Sequence, residues 1–189
     1  MTTTKQQDAV DLLLAQHERI KDMFGQVAAA SGEQKQDLFE DLVRLLAVHE
    51  AAEEELVHPL SRRENAAGEA VVRARLEEEQ QAKRKLAKLF DMGTGDPGFD
   101  AAFQQLRQAV LAHAEHEEHE EFPALRRAVP ADELTKLATQ VLTAENMAPT
   151  RPHPHSPSSA AGNLIVGPPM AVFDRIRDNI RDAKKDGHH

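Results

Sequence analysis

The sequence predicts an all-α protein, an up-down-up-down four-helix bundle with an extra short helix and a C-terminal extension. Three observations carry that expectation. The chain is rich in Ala, Leu, Glu, Gln, Lys and Arg, and its aromatic residues are seven Phe with no Tyr or Trp, a composition that favours helices over sheets. Its apolar residues recur in threes and fours, the rhythm of an amphipathic helix. Turn-forming residues then cut this pattern into long stretches joined by short loops, as an antiparallel bundle requires. A length of 189 residues allows one well-buried core and a tail.

The first helix is expected over residues 5–30, with Val10, Leu13, Leu14, Ile20, Phe24 and Val27 on one face and His17 in the same stripe. Ser31 and Gly32 interrupt the pattern as a helix end and turn would. The second runs over 33–57, with Leu38, Leu42, Leu45, His49, Glu53 and Leu56 along its inner side, until Pro59 disfavours continuation. A polar turn at 62–68 leads to a third helix ending near Met92, with Val72, Leu76, Ala82, Leu86 and Leu89 or Phe90 as its stripe and Glu79 among them. After the turn Gly93-Thr-Gly-Asp-Pro-Gly98, a fourth carries Phe99, Phe103, Leu106 and Val110 into His113 and Glu117.

A shorter helix over 132–144, capped by Asp132, should pack on the outside through Leu134, Leu137, Val141 and Leu142. The expected organisation is a bundle over 1–145, a Pro/Ser/Gly-rich linker over 146–171 and an amphipathic helix over 172–187. Val172, Phe173, Ile176 and Ile180 give that last helix an apolar face for this bundle, a second copy or a partner protein.

Charge narrows the function classes. Residues 1–148 hold 17 Lys and Arg against 28 Asp and Glu, whereas the remainder holds 6 against 4. An acidic body suits cations and argues against nucleic acid as a partner. Without Cys there is no zinc-thiolate site and no thiol redox chemistry, so His and carboxylates must carry any metal. The first ten residues contain no apolar leader and no stretch is long enough to span a membrane. A cytoplasmic protein without a membrane partner is therefore expected.

Two stretches carry the chemistry. His49 to Pro59 reads HEAAEEELVHP and His113 to Pro123 reads HAEHEEHEEFP, 64 residues later, so that His49, Glu53, Glu54 and Pro59 answer His113, Glu117, Glu118 and Pro123. Four-residue spacing puts each His and its Glu on one helix face, about 6 Å apart along the axis. Counting along an antiparallel bundle at about 1.5 Å per residue brings His17, His49, Glu53, Glu79, His113 and Glu117 into one layer. One His on an apolar stripe is ordinarily a hydrogen-bonded core residue. Three His with three carboxylates on such stripes are costly to bury unless paired or coordinated. The set suits a dinuclear centre, with iron leading and manganese or zinc as alternatives. Glu50 adjoins a candidate ligand and could coordinate; Glu54, Glu118, His116 and His119 fit supporting or solvated roles. His58, His153 and His155 are expected at the surface.

With His17 on helix 1, HxxxE on helix 2 and HxxxEExxxFP on helix 4, residues 8–144 resemble the hemerythrin-like, or HHE cation-binding, domains. The resemblance implies two non-haem iron ions, oxo- or hydroxo-bridged, in a four-helix bundle. It also implies a small-molecule ligand, O2, H2O2 or NO, with roles from oxygen carriage and sensing to peroxide decomposition. Helix 3 departs from the pattern. Oxygen-carrying members place two His there in HxxxH spacing, whereas Glu79 and Lys83 occupy the matching positions. A protonated Lys83 does not ligate, and a carboxylate at 79 favours ferric iron, which turns the expectation from carriage toward reaction or sensing. Iron storage or metal delivery, and a metal-free helical interaction module, are the competing readings. A ferritin-like di-iron oxidase is disfavoured because Glu55 to His58 is an ExxH without a second copy.

Overall fold

The structure, a computed structural model, describes residues 7–64, 68–147 and 169–186. Among them, every regular element is helical, in the order α1 (Ala9–Ala29), α2 (Gly32–Ala52), a π-helical turn (Glu53–Val57), α3 (His58–Glu64), α4 (Gly68–Met92), α5 (Phe99–His116), a second π-helical turn (Glu117–Glu121), α6 (Phe122–Ala128), α7 (Ala131–Met147) and α8 (Pro169–Asp186). The all-α expectation holds, with α1, α2, α4 and α5 as the long helices of the bundle. No described helix is long and apolar enough to cross a membrane.

Local chemistry sets the ends. Helix α1 starts later than its hydrophobic rhythm suggests, because Asp8 and Asp11 form a reciprocal cap on each other's backbone N–H, at 2.9 and 3.2 Å. Asp132 is not the cap of α7. It lies inside the first turn and faces Lys136, while the carbonyl of Pro130 accepts from the N–H groups of Glu133 and Leu134. Helix α4 stops at Gly93, whose φ of 77° admits the left-handed turn that closes its N–H onto the Leu89 carbonyl at 3.0 Å. At the other end of α4, a Cβ on Gly68 would meet the Ser61 carbonyl oxygen at 2.2 Å, so only glycine permits that approach of α3 and α4.

The two prolines expected to end helices instead follow π turns. The N–H of His58 returns to the carbonyl of Glu53, and that of Phe122 to Glu117. This wider turn accommodates a ring without N–H, and the chain continues as α3 and α6.

The interior is polarised along the bundle. At one end Phe24, Phe39, Phe99 and Phe103 interlock, with centroids 5.2–6.1 Å apart across α1, α2 and α5. Each buried ring contributes on the order of 1.5–3 kcal/mol. At the other end the same helices turn His and Glu inward. Helix α7 packs on α1 and α2 through Leu134, Leu137, Ala138 and Val141, leaving Leu142 exposed. Helix α8 docks on this bundle against α2 and α4, burying Val172, Phe173, Ile176 and Ile180 in the same core. It begins at Pro169, within the span expected as linker; the rest of that linker at 148–168, with His153 and His155, lies outside the described residues.

Candidate metal centre

Both π turns begin at the Glu of an HxxxE pair, and both echo positions are placed alike. Widening the helix by one residue there re-aims the carboxylates of Glu53 and Glu117 into the bundle, where neither is exposed. Together with His17 and His49 they bring one ligand atom each within 4.8 Å of one another. The Nε2 atoms of His17 and His49 are 3.1 Å apart, His17 Nε2 is 3.3 Å from Glu117 Oε2, and His49 Nε2 is 3.4 Å from Glu53 Oε1.

The opposite ring nitrogens explain this orientation. His17 Nδ1–H donates to Glu118 Oε1 at 2.8 Å, and His49 Nδ1–H donates to Gln16 Oε1 at 2.7 Å. These partners place the protons on Nδ1 and turn two lone pairs toward each other across a dry interior. Two acceptors do not stabilise one another at that distance; a shared cation does. The ring of Phe122 stacks on His17 at 5.6 Å and closes the outer side.

Electrostatics agree. His49 is held well below its ordinary pKa by burial and by His17. Glu53 is pushed well above the carboxylate range by burial and then by Glu117. Glu117 is itself buried, but His113 and His17 outweigh that and hold it down at about 2. Both oxygens of Glu53, both of Glu117 and Nε2 of His113 are buried without a hydrogen-bond partner. Unsatisfied buried carboxylates cost several kcal/mol as a rough scale, so their convergence marks a place for a positive ion.

His113 stands at the edge of this group. Its Nε2 lies 3.4 Å from Glu117 Oε1, and its Nδ1 is 3.0 Å from Glu78 Oε2. Burial opposes its charge, yet Glu117 and the bond to Glu78 raise it to about 9. In the metal-free protein it faces Glu117 as imidazolium, and ligation through Nε2 would release that proton.

Glu79 lies elsewhere. It groups with Glu50 and Glu54, again within 4.8 Å, and protein cations already reach this second group. Lys83 Nζ approaches Glu50 and Glu79 at 3.4 Å each and donates to Glu54 more closely still. Burial lowers the Lys83 pKa, but Glu50, Glu79 and Glu54 outweigh it and hold the ammonium above its ordinary value. Glu50 is pushed up to about 8 by burial and Glu79, against the pull of His113 and Lys83.

The hemerythrin HHE cation binding domain family model matches residues 8–125. The chain belongs to the hemerythrin HHE cation-binding family. A hemerythrin HHE cation binding domain-containing protein from Mycobacterium kansasii has the same fold, with a TM-score of 0.71 at 20% identity, covering 89% of this chain and 98% of that one. A Nostoc sp. (strain PCC 7120) protein named DNA nickase is 26% identical over 137 residues. That match takes in 72% of this chain and spans 38% of the relative's length.

Several positions in this HHE bundle differ from the sequence expectation. His17, His49, Glu53 and Glu117 converge; His113 adjoins them; Glu79 joins the second carboxylate group. His58 is a correction, since it is 1% exposed rather than at the surface. Its Nε2 binds Glu79 Oε1 at 2.7 Å and its Nδ1 binds Glu121 Oε1 at 3.1 Å. Burial opposes the charge, but these two carboxylates raise its pKa to about 10. Glu121, fully buried, escaped notice because its helical register points away from the layer once a regular α-helix is assumed; the π turn shifts it inward. Glu118 and Glu78 support His17 and His113, while the exposed His116 and His119 contact Glu78 Oε1 and the Glu115 carbonyl.

Proposed function

We propose that this chain is a non-haem iron protein whose buried His/Glu centre binds, senses or reacts with a small oxidant or gas: peroxide, O2 or NO. The reading is carried by one observation. Two imidazole lone pairs and the four unpartnered oxygens of Glu53 and Glu117 face one enclosed volume. The residues that would hold the ion are His17, His49, Glu53 and Glu117, with His113, Glu50 and Glu79 as the donors on the side of a second ion. Nitrogen and oxygen donors without sulfur suit iron, manganese or zinc, and the carboxylate share favours the ferric state. Iron bound there supplies a redox-active Lewis acid to which a small ligand can coordinate.

The chain's own residues then define what reaches it. The four side chains of the first group are at most 4% exposed, which supports a ligand of a few atoms rather than an organic substrate. Glu118 and Gln16 hold the imidazoles in the ligating tautomer. His113, held at about 9 beside Glu117, keeps a proton at the centre near neutral pH. Such a proton can pass to an oxygen of a reduced ligand, which fits peroxide decomposition better than reversible carriage. The acidic body gives no support to a nucleic-acid substrate.

Anaerobic titration with ferrous iron, followed by rapid mixing with peroxide, O2 and NO, tests the reading. Tight iron binding with a ligand-dependent change in the near-ultraviolet and visible spectrum is expected. A folded chain that retains no iron, or whose iron is spectroscopically inert to all three, overturns it. Iron that binds loosely and passes to a chelator without turnover would mark a store or delivery protein instead.

A further inference from the structure

Glu50, Glu54 and Glu79 form a three-carboxylate group next to the His17 and His49 pair, and Lys83 lies among them. We propose that the Lys83 ammonium is the resident cation of this second position, so that the chain holds one metal ion firmly and admits another only by displacing Lys83. The inference rests on the metal-binding reading above and deepens it.

The arrangement is built rather than incidental. Lys83 is 3% exposed, and its Nζ reaches Glu50 Oε2, Glu79 Oε2 and Glu54 Oε1 from the middle of α4. Helix α8 holds it there: the Phe173 ring lies 5.3 Å from Nζ, and Arg177 Nε lies 3.5 Å from Glu54 Oε2. The remaining oxygen of Glu79 is taken by His58 at 2.7 Å. Glu54 and Glu79 therefore face protein cations through both oxygens. A divalent ion entering here would meet a fixed ammonium inside a low-dielectric interior, where like charges repel strongly.

The first group has no such occupant. No Lys or Arg of the described residues pairs with Glu53 or Glu117 in the structure's ion pairs, and their oxygens have no hydrogen bonds. On the Lys83 side the donors without a hydrogen bond are Glu50 Oε2 and His113 Nε2. Those two are the atoms a second ion would recruit once the ammonium withdrew. The sequence change at position 83 thus alters more than the number of imidazoles; it supplies a charge in place of an ion.

Full-length wild type, Lys83→Met and Lys83→Arg, each checked for helicity by circular dichroism, are loaded anaerobically with excess ferrous iron. After desalting, metal per chain is measured by plasma mass spectrometry, with manganous ion as a redox-inert control. Wild type and Lys83→Arg are expected to retain about one ion and Lys83→Met about two, the second ion binding wild type at least about 100-fold more weakly than the first. Wild type that retains about two ions of similar affinity overturns the proposal, whether or not Lys83→Met folds. A folded Lys83→Met that still retains about one overturns it too, while leaving the metal centre standing. Retention of no ion by any variant removes the metal-binding reading and this inference together.

Discussion

Two groups of buried carboxylates lie side by side in this bundle, and their surroundings treat them oppositely. Glu53 and Glu117 face two imidazole lone pairs, and their four oxygens have no hydrogen-bond partner. Glu54 and Glu79 face Lys83, Arg177 and His58 through both oxygens. The residue types are the same; what differs is whether the protein supplies the positive charge. A group left short of charge is poised for an external cation, and a group already neutralised is structural until its internal cation is removed. Two histidines show the same division. His49 is anchored on one nitrogen by Gln16 and offers the other, whereas His58 gives both to carboxylates and has none to offer.

The comparison breaks most sharply if the two groups respond alike to loss of a carboxylate. Glu53→Ala is expected to lower metal affinity by more than about 100-fold, the upper range seen for supporting residues, whereas Glu54→Gln should keep the ion at the first group. Isothermal titration with manganous ion reads both; equal losses would mean the groups form one undivided site.

Next in size is the effect on the metal-free fold. Lys83→Met leaves buried carboxylates without their partner and should destabilise by about 3–5 kcal/mol, measured by urea unfolding. Glu53→Gln removes a carboxylate that lacks a cation and should leave the metal-free chain as stable or more stable. A Lys83→Met chain as stable as wild type would show that the ammonium does not neutralise its group.

Supporting bonds come third. Glu118→Gln or Gln16→Leu should weaken metal binding by about 10–100-fold without unfolding the chain, because the imidazoles lose the partners that set their tautomer. Affinity unchanged in both would remove the argument from ring orientation.

The pH dependence of His58 is smaller. Its folded pKa of about 10 lies above the unfolded value of 6.5, so its stabilisation is complete below the unfolded value and is lost as pH rises through the folded one. Urea midpoints of wild type should therefore fall between these two values relative to His58→Gln; parallel curves would show that His58 is not charged. Smallest of all, His116→Ala should leave metal content unchanged, since His116 is 49% exposed on its side chain and touches Glu78 from outside.

The bundle was legible from the chain because amphipathic helices declare themselves locally: a stripe at 3.6-residue period needs no knowledge of its partner. The convergence of His17, His49, Glu53 and Glu117 was foreshadowed for the same reason, each being a polar residue in an apolar stripe. His58 and Glu121 were not legible, because both follow the start of a π turn, and one extra residue rotates everything after it by about 100°. The division of Glu79 from Glu53 was also hidden, since stripe position gives height and facing but not which of two neighbours a side chain joins.

By itself, then, the sequence determined an acidic all-α bundle with a layer of His and Glu in its interior and nitrogen and oxygen as its only donors. Periodicity and residue chemistry are local properties and survive without coordinates. Only the tertiary structure decided which carboxylates already have a cation. Lys83 comes from α4, Phe173 and Arg177 from α8 and His58 from the start of α3, and charge compensation depends on distances among elements far apart in the chain. The π turns bring the echoing Glu53 and Glu117 to the same unpaired centre, and α8 closes over the neighbouring group that does not wait for a metal.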